Sequence, residues 1–121
     1  IKENHLLRER RFIQYFDAGS EIRETVVGIV AGMIMNSPEG SSRNLPMVAF
    51  VDSDDGVKVS ARANRDLVDR GLDLSSVMRT ASEIVGGFGG GHSVAAGATI
   101  PADQKERFLD IVEDLVSAQI E

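Results

Sequence analysis

The sequence predicts an α/β domain, a single unit built on a mixed β-sheet of about four to five strands covered by helices. Three observations predict it. The chain has 121 residues, the size of one domain and too short for a second independent core. Apolar residues recur every second position in some segments and every third or fourth in others, so strands and helices interleave. An Asp-Gly pair, Asp55-Gly56, stands between two apolar runs and marks a tight hairpin.

Taken in order, Arg11 to Asp17 (RFIQYFD) reads as a strand from its clustered aromatics. Ser20, followed by Glu21 and Glu24, suits a helix start. Ile22, Val26, Val27, Val30, Met33 and Ile34 then supply one apolar face of about four turns. Gly28 and Gly32 inside that helix each cost about 1 kcal/mol relative to Ala, which points to close packing against the sheet or, as the weaker reading, to backbone approach to a ligand. Residues 36–44 form a loop by composition.

Pro46 to Val51 is an apolar run of the kind a fully buried strand shows. Across the Asp-Gly turn, Val57 to Ala63 should pair with it antiparallel. There Val57, Val59 and Ala61 face one side and Lys58, Ser60 and Arg62 the other. After a polar segment over residues 65–71, Asp73 or Ser75 caps a helix carrying Leu74, Met78, Ala81 and Val85, and Gly86 stops it. Val94 to Ile100, bounded by Pro101, reads as a strand. A last helix runs from Asp103 to Ile120, with Asp103 and Glu106 at capping-box spacing and Phe108, Val112 and Leu115 on its apolar face.

Composition bounds the function. With 42% hydrophobic and 26% charged residues, the chain is globular and not disordered. The absence of Cys excludes disulfides, thiolate chemistry and Cys-ligated zinc, and favours an intracellular, cytoplasmic protein. No apolar run approaches the roughly 20 residues that span a bilayer, and no signal segment opens the chain, so no membrane partner is expected. Because residue 1 is Ile, a domain cut from a longer protein is the simplest expectation. The net charge is -6, which excludes blanketing nucleic acid with a broad basic surface. Residues 56–80 are nonetheless locally basic, with Lys58, Arg62, Arg65, Arg70 and Arg79, so any phosphate contact is focused.

The densest anomaly is GGFGGGHSVAAG, residues 86–97. Such a segment supplies little side-chain volume and loses much entropy on folding, so something other than core filling requires it. Converging backbone N–H groups beside His92 could receive an anion, and a flexible turn with an exposed His is the plain alternative. A phosphate-binding P-loop would need Lys at position 92, a strand before and a helix after. Asp52, Asp54 and Asp55 lack EF-hand spacing. His5 and His92, the two histidines, have no carboxylate constellation around them, and Ser93 has no nucleophile elbow.

Gly89-Gly90-Gly91-His92-Ser93-Val94-Ala95-Ala96-Gly97 reads GGGHxxAAG and resembles the hallmark of the DHH-associated C-terminal domain of RecJ-like nucleases, oligoribonucleases and related phosphoesterases. Gly28 to Gly32 resembles that family's first helix, and Lys58-Val-Ser60-Ala-Arg62 its S-x-R strand. The correspondence covers roughly residues 11–115, and the GGGHxxAAGATIP wording is similar to the archaeal RecJ-like branch. The resemblance implies that Ser60 and Arg62 grip substrate, and that His92 with Gly89, Gly90 and Gly91 contacts the phosphate. It implies that single-stranded DNA or RNA is the partner, and that manganese or magnesium sits in an N-terminal DHH domain, with no metal bound by this domain. The D-H-H motif is absent from these residues, so the chain alone is expected to be inactive. Replication or repair proteins are conceivable partners by family analogy. The alternatives are an oligoribonuclease or cyclic-dinucleotide phosphodiesterase domain, and a non-catalytic anion-binding or tRNA-related module, since alanyl-tRNA synthetase carries a related domain.

Overall fold

The alternation along residues 56–62 becomes the middle of a six-stranded sheet in the computed structural model, which describes residues 8–17, 45–54 and 56–120. The strands are β1 Arg8–Glu9, β2 Gln14–Asp17, β3 Met47–Ser53, β4 Gly56–Arg62, β5 Phe88–Gly91 and β6 Ala95–Ile100, paired in the order β1-β2-β3-β4-β6-β5. Only β2 and β3 run parallel. Parallel neighbours need a crossover connection, and residues 18–46 separate these two strands in the sequence. The helix expected over residues 20–34, with Gly28 and Gly32, and the loop over 36–44 lie outside the described residues.

The mixed α/β class is borne out, with one or two more strands than expected. Residues 10–13 turn β1 into β2, through an Arg10 N–H donating to the Ile13 carbonyl at 2.8 Å, so the first aromatic strand starts at Gln14 and not at Arg11. The second unforeseen strand is β5, drawn from the glycine cluster. At the β3–β4 hairpin Ser53 pairs with Gly56, so Gly56 begins β4 instead of sitting in the turn. Its φ is 126° and a Cβ there would lie 2.5 Å from the Ile100 carbonyl oxygen, a position only glycine fills.

Three helices follow from local chemistry. Helix α1, Arg65–Asp69, forms within the segment read as polar over residues 65–71, because the Asn64 side chain accepts the Leu67 N–H and Leu67 is buried. Helix α2, Leu74–Ile84, is capped by Asp73, which accepts both the N–H and the hydroxyl of Ser75. Helix α3, Lys105–Ile120, follows a 3-10 turn over Ala102–Gln104. The expected capping box does not form: Gln104 N–H bonds to the Pro101 carbonyl, which places Asp103 inside the turn, and Glu106 pairs with Arg10.

Both long helices lie on the sheet face that presents Val57, Val59 and Ala61. Phe50, opposite Val59 in register, meets Phe108 of α3 edge to face at 6.2 Å between ring centroids. Two cations staple α3 to the far strands. Arg10 reaches Asp110 at 2.7 Å, Glu106 at 3.4 Å and Glu113 at 3.5 Å, and Lys105 reaches Asp17 at 2.6 Å and Asp52 at 3.7 Å. Gln119 of α3 accepts the Asp73 N–H. Among the described residues no helix is long and apolar enough to cross a membrane.

The Ser75 hydroxyl, opposed by partial burial, holds the Asp73 carboxyl below its ordinary value. Its capping contribution is therefore complete above the unfolded carboxylate value near 4 and is lost as pH falls through the lower folded value. Asp73→Ala should lower the unfolding free energy by about 1 kcal/mol at pH 7. Urea melts should show the same gap at pH 5 and a narrowing one below about pH 4.

Candidate functional site

The face of the sheet opposite the helices is closed on one half and open on the other. On β3 it carries Met47, Ala49 and Val51, all fully buried. On β4, β6 and β5 the register lays out three transverse rows. Lys58 stands opposite Thr99, and Thr99 opposite Phe88. Ser60 stands opposite Gly97, and Gly97 opposite Gly90. Arg62 stands opposite Ala95, which exchanges backbone hydrogen bonds with His92 at 2.8 and 3.3 Å across the head of the β5–β6 hairpin. The middle row has almost no side chains, and the outer rows carry the cations. A depression of about 320 Å³ lies between Lys58, Ser60, Phe88, Gly97 and Thr99.

No Asp or Glu occupies these rows. The Lys58 ammonium donates to the Thr99 hydroxyl at 3.0 Å, and an Arg62 Nη1–H donates to the Ala61 carbonyl at 2.8 Å. Among the described residues neither pairs with a carboxylate. Burial lowers the Arg62 pKa, yet a guanidinium stays charged at any physiological pH. The contrast with the other face is sharp, because five carboxylates surround Arg10 and Lys105. A chain with net charge -6 thus carries two cations on one face that no described carboxylate pairs with, an arrangement that attracts an anion.

The glycine run is a strand and not a curled anion nest, so its N–H groups alternate along β5 instead of converging. Most of its glycines serve packing. A Cβ on Gly87 would lie 2.0 Å from the Thr99 carbonyl oxygen, and one on Gly89 would lie 2.6 Å from the Gly97 carbonyl oxygen, 2.8 Å from the Ala98 Cβ and 3.0 Å from Ser82 Oγ of α2. Gly91, with φ of 144°, meets Ala96 in the same way. Gly90 alone among these strand glycines has nothing within 4 Å of its missing Cβ. No packing neighbour requires it, and it lies in the bare middle row.

The structure therefore brings Ser60, Arg62 and Gly90 onto one face and sets His92, exposed, at the hairpin head beside it. Gly89 and Gly91 take the helix side of the sheet. Sequence reasoning missed Phe88, which is 66% exposed at the open edge of this face. The signal was available: a lone aromatic inside a glycine run has no local partners to pack against. Among the described residues no three His, Asp or Glu side chains stand close enough together to hold a metal ion.

Comparison with known proteins agrees with this architecture. The sequence matches the DHHA1 domain over residues 11–118. It is 36% identical over 114 residues to an uncharacterised protein of Methanocaldococcus jannaschii, covering 94% of this chain and 24% of that protein; the chain spans about a quarter of the length of that relative. The fold is similar to the C-Ala domain of alanyl-tRNA synthetase from Aquifex aeolicus, with a TM-score of 0.69 at 13% identity, covering 92% of this chain and 97% of that one. It is also similar to a pGpG-specific phosphodiesterase of Vibrio cholerae, with a TM-score of 0.58 at 13% identity over 93% of this chain and 36% of that one.

The two neighbouring glycines separate fold from face. Gly89→Ala drives a methyl into backbone and should destabilise the chain by about 1–3 kcal/mol. Gly90→Ala enters open space and should leave stability within about 1 kcal/mol of the parent. Thermal and urea melts of both variants measure the difference, and equal losses would show that Gly90 serves packing.

Proposed function

Because the chain belongs to the DHHA1 domain family, we propose that it is the substrate-binding domain of a RecJ-like, metal-dependent phosphoesterase, an exonuclease acting on single-stranded nucleic acid. The observation that carries this reading is the pair of cations, Lys58 and Arg62, that no described carboxylate neutralises, on either side of the bare Ser60-Gly97-Gly90 row. A phosphodiester laid on that row meets a guanidinium fork and a hydroxyl without displacing any side chain. Its neighbours along the strand extend past the hairpin head, where His92 is exposed and can donate.

In this reading metals held by a separate DHH domain would supply the chemistry that activates water. The residues of this chain position. Arg62 and Ser60 hold a phosphate, and His92 donates to the phosphoryl oxygen on which charge grows. A second reading, hydrolysis of short dinucleotides, is supported by the size of the face, three rows deep, and by the fold shared with a pGpG-specific phosphodiesterase. Metal-dependent cleavage by the full-length protein of single-stranded DNA, single-stranded RNA and dinucleotides decides between the two. Fastest turnover of dinucleotides would select the second. Cleavage of none of them would remove both and favour a binding module like the C-Ala domain.

Two outcomes are expected. In the full-length enzyme His92→Ala should lower turnover about 100- to 1000-fold, while Arg62→Ala should act mainly on substrate affinity, because a grip away from the reacting atom contributes equally to ground and transition states. Arg107→Ala, which removes an exposed cation of α3, is the control, with steady-state kinetics and thermal melts on each variant. The salt dependence of single-strand binding should be shallow: contact with one to three phosphates gives a log–log slope of about -0.7 per phosphate. A steep slope measured across a salt series would assign binding to a broad basic surface instead.

A further inference from the structure

Phe88 is the largest exposed apolar side chain of the described residues, and the fold gives it no core to join. It stands on the edge strand β5, with Gly87 and Gly89 on either side in sequence and Gly90 next along the same face. Across the sheet its row ends at Lys58, and the intervening Thr99 is 7% exposed. Isolated exposed apolar residues are common and need no explanation. This one differs because it borders a depression, the floor beside it is glycine and serine, and the surrounding charge is positive.

Dimensions fix what the depression accepts. Adjacent strands lie about 4.8 Å apart and alternate residues of a strand about 6.7 Å apart. The floor between Phe88, Lys58 and Arg62 is therefore roughly 10 Å wide and 13 Å long. A planar ring on Phe88 would be followed, one row along, by a floor low enough for a sugar and a phosphate within reach of Ser60 and the two cations. Resting on the proposed function, we infer that Phe88 is a stacking platform for a nucleobase of the bound strand, and that Gly90 and Gly97 form the floor over which its sugar-phosphate passes. Aromatic stacking accepts any base, so this residue adds affinity without reading sequence.

The test measures binding of the chain, with chelator present, to a labelled single-stranded oligothymidylate and to an abasic oligomer of the same length and charge. Phe88→Ala should weaken binding to the oligothymidylate roughly 5- to 150-fold and leave the abasic oligomer unchanged, and Phe88→Trp should restore the loss. Arg62→Ala should weaken both ligands. If Phe88→Ala changes neither ligand while Arg62→Ala weakens both, the stacking inference fails and the proposed function stands. Equal loss on both ligands from Phe88→Ala also overturns it, since the residue then acts without a base. Self-association of the parent chain that Phe88→Ala abolishes would assign the residue to a strand-edge contact instead. No binding of either ligand by the parent chain would overturn this inference and the proposed function together.

Discussion

The register of β4 against β6 governs what this surface can do. Strand side chains alternate, so a slip of one residue would send Lys58, Ser60 and Arg62 under the helices and expose Val57, Val59 and Ala61. Two features hold the register. The apolar set of β4 is buried against α2 and α3, where charge would be costly. Gly56 and Gly97 let neighbouring backbone approach closely: a Cβ at Gly56 would lie 2.5 Å from the Ile100 oxygen, and one at Gly97 a tight 3.0 Å from the Val59 oxygen. Placement of the cations is thus a by-product of core burial, and the site inherits its rigidity from the sheet.

Electrostatics then divides the molecule. On α3, Glu106, Asp110 and Glu113 face Arg10, while Lys105 draws in Asp17 and Asp52. Such partly exposed pairs are individually worth little, about 0–1 kcal/mol. Their larger effect is on geography: these five carboxylates stay on the helical side. Among the described residues, the carboxylates that pair with Arg10 and Lys105 lie on the helical side of the sheet, and Lys58 and Arg62 on the other side pair with none. A domain can in this way be acidic overall, and so repelled from nucleic acid in bulk, while presenting one small attractive strip.

Much of this was legible in the sequence, for physical reasons that differ by element. The β3–β4 hairpin, the alternation that puts Ser60 and Arg62 on one face, the Asp73 cap and the Gly86 stop follow from local rules that tertiary structure had no cause to override. Strand β5 was hidden because its sequence, FGGG, carries neither alternation nor β-propensity; its pairing comes from β6, and glycine is there to let α2 and β6 approach. The same disguise hid Phe88. Helix α1 was missed although Asn64 and Leu67 signal it, because one short turn among charged residues has no apolar period to detect. The capping box at Asp103 failed because Pro101 starts a 3-10 turn first. Why glycine stands at position 90 could be asked only after three-dimensional neighbours had accounted for the glycines around it.

The bond between Arg10 and Asp110 joins residues 100 positions apart, and it has a kinetic side. Closing so long a loop costs chain entropy before any contact returns it, and folds dominated by such pairings form slowly. During synthesis the first described strands leave the ribosome well before the helix that clamps them. Until α3 emerges, Arg10 has no acidic partner on that helix and Val48 and Phe50 of β3 lack its cover. The apolar side chains that α3 covers are therefore without that cover until the helix is made, the interval in which aggregation can begin.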